Sequence, residues 1–340
     1  MQPVALRAVP AKNKARRLHR NVGLALIVSA AAGSASAQEA FTFLTNWYAQ
    51  AEQGGYYQAL ATGLYKKYGL DVTLRMGGPQ INSVQIMAAG QADCVLGASD
   101  LQMIQLREAG VPVVTVAAMF QKDPEVLIAH EGVSGFDDMK GKTILISALA
   151  RNGFWPWLKA KYGLSDAQLR PYTFNLQPFI ADSNVVQQGY ATAEPYAIQK
   201  AGIKATVFAF SDYGYPSYAN TISCMEATVK TRRKAIAAFV RGTAEGWKSY
   251  LADPAPANAL IRKDNPAMSD EQLAYSVAKL KEMAMVTGGD AVRSGIGTIT
   301  DARAKASYDF MVGAKLIDPA KVDLAQTYTT EFVRDLKVLP

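Results

Sequence analysis

The chain is 340 residues long, with 36 Lys and Arg against 29 Asp and Glu, a formal net charge of +7. Six of those cations (Arg7, Lys12, Lys14, Arg16, Arg17 and Arg20) fall in the first 37 residues, which hold no acid, leaving 7 − 6 = +1 for the remainder. A near-neutral remainder removes the clustered basic face that a nucleic-acid partner needs, and a total of 2 cysteines excludes a disulfide scaffold.

The basic start is followed by an apolar run, Gly23 to Ala32, and then by Ala35-Ser36-Ala37. The run falls well short of the roughly 20 apolar residues that span a bilayer. Basic start, short apolar core and small-residue site form the pattern of a secretory signal peptide, with cleavage expected before Gln38 and a periplasmic destination. No Cys stands at the cleavage point, so a lipid anchor is not expected. Residues 38–340 are long enough for two lobes. An oxidising compartment permits a bond between Cys94 and Cys224, although two separate buried thiols are the expectation.

From Phe41 onward short β-rich runs alternate with helical stretches. Phe41–Thr45 reads as a strand and Gly55 to Tyr68 as one helix, with Tyr57, Leu60, Ala61, Leu64 and Tyr68 at helical spacing and Gly69 as its stop. Asp71–Met76 is the next strand, then a helix over Ser83–Ala89, a strand over Ala92–Gly97, a helix over Leu101–Glu108 and a strand over Val113–Ala117. A second set follows: strands at Thr143–Ser147, Tyr172–Leu176 and Ala205–Phe210, with helices near Phe154–Tyr162 and Pro195–Ala201. Beyond Ser217 the pattern is mainly helical. Arg232–Leu251, Ser269–Met285 and Asp301–Leu316 are amphipathic, with Ser269 and Thr300 as N-caps. Alternation of this kind predicts α/β architecture, mostly parallel sheets with helices on both faces.

Gly63-Leu64-Tyr65-Lys66-Lys67-Tyr68-Gly69-Leu70-Asp71-Val72 resembles the element that closes the first helix of ABC-importer substrate-binding proteins of the nitrate/sulfonate/taurine family. Gly90-Gln91-Ala92-Asp93, Gly97-Ala98-Ser99-Asp100, Gly135 to Thr143 and Ala193-Glu194-Pro195-Tyr196 fall in that family's order. Asn46-Trp47-Tyr48 followed by Gly54-Gly55-Tyr56 is similar to its thiamine-pyrimidine-precursor branch. The resemblance implies a type II periplasmic-binding-protein fold: two doubly wound α/β lobes joined by two crossover strands, Val126–His130 and Ser217–Met225. On that reading residues 38–130 and 220–340 form lobe 1, the latter mainly helical, and 131–219 form lobe 2. It also implies a small-molecule ligand in the interlobe cleft, an inner-membrane ABC permease as partner, and a monomer without cofactor or metal.

Ligands of open α/β sheets sit at the carboxyl ends of the strands. That nominates Asn46, Trp47 and Tyr48, then Gly77, Gly78 and Pro79, then Ser99 and Asp100, then Gln121. In the second lobe it nominates Arg151, Asn152 and Trp155, then Glu194 and Tyr196. Gly54, Gly55 and Tyr56 join them because a helix start offers free N–H groups, and Tyr215 as a cleft aromatic. Trp47 and Tyr48 form either a stacking wall for a planar ligand or interlobe packing. Asp100 either receives a ligand N–H or caps the next helix. Family members carry a Gly- and Ser/Thr-rich turn for an anionic head group, whereas this chain has Ser147-Ala148-Leu149-Ala150-Arg151-Asn152-Gly153. With the aromatics, that departure points to a planar heteroaromatic ligand such as a pyrimidine. An alkanesulfonate, taurine or nitrate anion is the alternative, and an exported enzyme related to pyrimidine synthase is a further one. Beyond the export segment His130 is the one histidine, and neither a nucleophile–base pair nor a zinc ligand set is evident, so catalysis is not expected.

Overall fold

The structure is a computed structural model that describes residues 38–340. The expected export signal over residues 1–37 lies outside the described residues. Two five-stranded sheets organise the rest. The strands are β1 (Glu39–Leu44), β2 (Leu70–Arg75), β3 (Cys94–Ser99), β4 (Val113–Phe120), β5 (Glu125–His130), β6 (Thr143–Ile146), β7 (Leu169–Pro171), β8 (Val185–Tyr190), β9 (Ala205–Ala209) and β10 (Ala219–Met225).

The first sheet has the order β2-β1-β3-β10-β4 and the second β7-β6-β8-β5-β9. In each, four strands run parallel to one another and one is antiparallel to its neighbours: β10 in the first, β5 in the second. The chain therefore crosses between sheets twice, over residues 121–124 and again over 210–218. This is the periplasmic-binding-protein arrangement, with the carboxyl ends of both sets of parallel strands facing one cleft.

The first sheet is buried beneath the helix Gly54–Ala61 and the long helix Arg233–Ala252, whose Phe239, Trp247 and Tyr250 interleave with Phe41, Phe43 and Tyr56. The second is closed by Phe136, Phe154, Trp157 and Phe210. Ser269 and Thr300 cap their helices by accepting from Gln272 N and Arg303 N. Among the described residues no helix is long and apolar enough to cross a membrane.

Three expectations are corrected. The single helix over Gly55–Tyr68 is two, Gly54–Ala61 and Leu64–Lys67, because Gly63 takes φ +73°, a conformation that glycine adopts freely and that ends the helix. The strand expected over Tyr172–Leu176 is displaced to Leu169–Pro171, since Phe174 has φ +64° and cannot continue an extended chain. Cys94 and Cys224 are a disulfide rather than separate thiols: antiparallel pairing of β3 with β10 sets the two residues directly opposite, Cα to Cα 4.3 Å. Residues 130 apart in the chain become neighbours only through that pairing.

Candidate functional site

A pocket lies between the two sheets. The first sheet contributes Asn46, Trp47 and Gln50 from the segment after β1, Ala98 near the end of β3 and Gln102 from the next helix turn. The second contributes Ser147, Leu149, Ala150 and Gly153 after β6, Gln188, Gly189 and Tyr190 at the end of β8, then Glu194. Glu125 enters from β5, whose antiparallel course brings its amino end to the same place.

Glu194 opens the helix Glu194–Lys200, and its carboxylate is held on both oxygens. Tyr172 Oη donates to Oε1 at 3.1 Å and the Tyr190 backbone N–H to Oε2 at 2.8 Å. Gly189 makes this seat possible: a Cβ there would stand 2.9 Å from Glu194 Oε2 and from Ile128 Cδ1. Burial pushes the Glu194 carboxyl up to about 7. Burial, with the neighbouring Asp123 carboxylate, also raises Glu125, and burial raises Glu52, which accepts from Thr192 Oγ1 nearby. Asn46 Oδ1 is buried with no protein partner. Among the described residues that line the pocket none is Lys, Arg or His, while two are Glu. The site thus offers no cation to compensate an anion, and its two glutamates, whose carboxyls burial raises, present O–H donors as well as acceptors.

Trp47 supplies a flat wall. It stacks on Tyr172 with ring centroids 6.1 Å apart and meets Tyr48 and Phe174 edge-on, so it both lines the pocket and packs between the lobes. The lobes also touch through hydrogen bonds. Gln102 Nε2 donates to Leu149 O at 3.3 Å, Ala148 N to Pro79 O at 3.3 Å, and Gln272 Nε2 to Ala193 O at 3.2 Å. These direct contacts describe a closed cleft.

Of the nominated residues, Asn46, Trp47 and Glu194 line this pocket, and Tyr196 lines an adjoining one. Tyr48 packs on Phe174, centroids 5.3 Å apart. Gly54 and Gly55 face the long helix, where a Cβ would stand 2.2 Å from the Tyr250 and Trp247 rings respectively. Tyr56 is in the core and donates to Asn220 Oδ1 at 2.8 Å. Gly77 admits close passage of the Thr45 carbonyl, 2.1 Å from a notional Cβ, Gly78 lies against Tyr48, and Pro79 offers its carbonyl across the cleft. Ser99 Oγ caps its helix by accepting from Gln102 N at 3.2 Å. Asp100 is that helix's first residue and accepts from Leu101 N, its carboxyl pushed up to about 7 by burial. Gln121 Nε2 donates to Ala118 O and Thr298 O. Arg151 and Asn152 are exposed. Trp155 Nε1 donates to Asp166 Oδ1 at 2.7 Å within the second lobe, and Tyr215 is buried against Trp157.

Gln50, Ala98, Gln102, Glu125, Ser147, Leu149, Ala150, Gly153, Gln188, Gly189 and Tyr190 line the pocket without being nominated from the sequence. The polar pair Gln187-Gln188 interrupting an apolar run before Gly189 is a usable signal for β8 and its end. Glu125 carries none, because a rule built on carboxyl ends of strands overlooks the amino end of an antiparallel one.

A family model described as "NMT1/THI5 like" matches residues 50–257. The riboflavin-binding protein RibY of Chloroflexus aurantiacus is 27% identical over 288 residues, covering 82% of this chain and 81% of that protein. A formylaminopyrimidine-binding protein of Halalkalibacterium halodurans is 24% identical over 276 residues, covering 76% and 83%. Among solved structures, the periplasmic aliphatic sulphonate-binding protein SsuA of Escherichia coli aligns over 87% of this chain and 99% of its own, with TM-score 0.60 and 16% identity. The desulfurization enzyme DSZB aligns over 88% and 99%, with TM-score 0.54 and 11% identity. At such identities these structures share the fold with this chain, and the fold hosts both binding and catalysis.

Proposed function

The chain belongs to the NMT1/THI5-like family, and from that premise we propose that it is the solute-binding component of an ABC importer. It captures a small planar heteroaromatic molecule in the interlobe pocket and delivers it to a membrane permease. The observation that carries the ligand class is the lining itself: the face of Trp47 beside two buried glutamates and an unpartnered Asn46 oxygen, with no cation among the described lining residues. A ring bearing an N–H or amino group satisfies the Asn46 oxygen, its ring nitrogens or carbonyls pair with the glutamates whose protons burial retains, and its face stacks on the indole. A sulfonate or nitrate would need the opposite charge. The names of the relatives that bind riboflavin and formylaminopyrimidine support the same class.

Capture proceeds by closure. A ligand that contacts both lobes favours the closed state by its differential affinity for it, and the interlobe bonds of Gln102 and Gln272 add to that state. The export signal read over residues 1–37 and the buried disulfide, a bond that persists in oxidising compartments, support a periplasmic location. The acceptors around the pocket hold a ligand, and no nucleophile–base pair stands among its lining residues.

A thermal-shift screen of the purified protein against pyrimidines, flavins, taurine and nitrate tests the proposal. A ligand at 100 times its dissociation constant adds about 2.7 kcal/mol of stability. Stabilisation by a heteroaromatic without its chemical conversion is expected. Stabilisation by taurine or nitrate alone, or turnover of the bound molecule, overturns it.

A further inference from the structure

The turn Ala51–Gln53, between β1 and the helix Gly54–Ala61, carries Glu52. Its backbone belongs to the first lobe, where the Glu52 carbonyl accepts from Asn220 Nδ2 of β10 at 2.6 Å. Its carboxyl crosses to the other lobe: Oε1 accepts from Oγ1 of Thr192, which follows β8. Glu52 and Thr192 are both 0% exposed, so this bond is sealed inside the lobe junction. Glu52 Oε2 is buried with no partner among the described residues. The titratable groups around the carboxyl are Tyr190 of β8, Glu194 and Tyr250 of the long helix, and Tyr190 also faces Glu125 and Asp123. The helix Asp270–Glu282 packs on the same turn, but its charged residues are exposed except Lys279, which pairs with Glu282. A carboxylate held by one hydroxyl and met by no cation is unfavourable in such a place, and burial pushes the Glu52 carboxyl up.

We propose that Glu52 and Thr192 form a latch that shuts only when the Glu52 carboxyl carries a proton, so that closure of the cleft takes up one proton from solvent. The two residues stand on opposite lobes. Parting the lobes breaks their bond and returns Glu52 to water, where its ordinary value is 4.5. Because the closed state has the raised carboxyl, the proton's contribution to closure is whole below 4.5 and is lost as pH rises through the closed-state value. A molecule that favours the closed state binds together with that proton, and its affinity falls by at most about tenfold per pH unit across the window. The Thr192 hydroxyl favours the ionised form, so its removal tightens the hold on the proton and moves the window to higher pH. The latch rests on the reading of the chain as a binding protein that closes on its ligand, whatever the ligand's class.

Lobe separation is measured by small-angle X-ray scattering of the purified protein at about pH 5 and about pH 8, alone and with riboflavin or cytosine. Wild type is compared with Glu52→Gln, which keeps an acceptor for Thr192 but has no proton to titrate, and with Thr192→Val. Calorimetric titration in buffers of different ionisation enthalpy counts the protons taken up with the bound ring. Wild type is expected to be more compact at the lower pH and to bind the ring more tightly there. Glu52→Gln should lose the pH difference in compaction and take up about one proton fewer, while Thr192→Val should keep the difference and shift it to higher pH. A wild type equally compact at both pH values, or a pH dependence undiminished in Glu52→Gln, overturns the latch, and the binding reading stands wherever a ring still compacts the protein. Compaction by acid that requires Glu52, with neither ring compacting the protein at either pH, supports the latch and overturns the heteroaromatic reading of the pocket.

Discussion

Reduction of the Cys94–Cys224 bond tests how far the fold depends on a link the primary structure leaves open. Both sulfurs are fully buried between β3 and β10, in the middle of the first sheet. The bond spans 130 residues and closes a loop that contains β4 and the whole of the second sheet. In the chain-entropy account, a closed loop of this length restricts the unfolded ensemble by about 5 kcal/mol. With unfolding entropy near 2.1 cal/mol/K per residue over about 300 residues, that corresponds to a fall of roughly 8 °C in melting temperature. The measurement is far-UV circular dichroism of oxidised protein and of protein reduced under denaturing conditions and refolded in reductant, with free thiols counted before each melt. Native-state ligand binding is expected to persist, because neither sulfur reaches the pocket. A fully reduced sample melting within about 1 °C of the oxidised one would refute the loop-entropy reasoning.

Three further predictions follow from the site and its supports. Trp47→Ala should weaken heteroaromatic binding at least about tenfold while the melting temperature changes little, since the indole is half-buried at the cleft; unchanged affinity would remove Trp47 from the site. Gly55→Ala should destabilise the protein by about 1–3 kcal/mol through overpacking against Trp247, with ligand affinity of the folded fraction retained; a stable variant that has lost binding would make Gly55 a ligand contact instead. Asp100 and Glu194 rise from 3.8 and 4.5 to about 7 on folding, so the native state keeps protons that the unfolded state has lost. Their contribution to stability therefore falls as pH rises between about 4 and 7 and is flat above. Melting temperature should be higher near pH 5 than near pH 7.5, and Glu194→Gln should shrink the difference; an undiminished slope in that variant would exclude Glu194 as a source.

Much of the layered order was legible from residues 38–340 alone. Alternating β-rich and amphipathic segments imply two βα sets, and the caps at Ser269 and Thr300 stand where the residue types place them. The segment after β1 was legible as well, because carboxyl ends of parallel strands converge on one cleft, and Asn46 and Trp47 line it. Periodicity reports which face of an element is buried. It does not report which element covers that face.

That limit explains what the tertiary structure alone decided. Gly54 and Gly55 read equally as a ligand-facing helix start or as a packing surface, and only the position of the long helix Arg233–Ala252 shows that Trp247 and Tyr250 occupy the space. Glu125 reaches the pocket because β5 runs antiparallel, a direction no local pattern encodes. Cys94 meets Cys224 through the pairing of β3 with β10, a contact whose partners are far apart in the chain. Local sequence determines backbone preference and burial, which act over a few residues. Pairing, register and cleft geometry are set by contacts between distant segments, and those placed Glu125, Gln188 and Glu194 around one cavity.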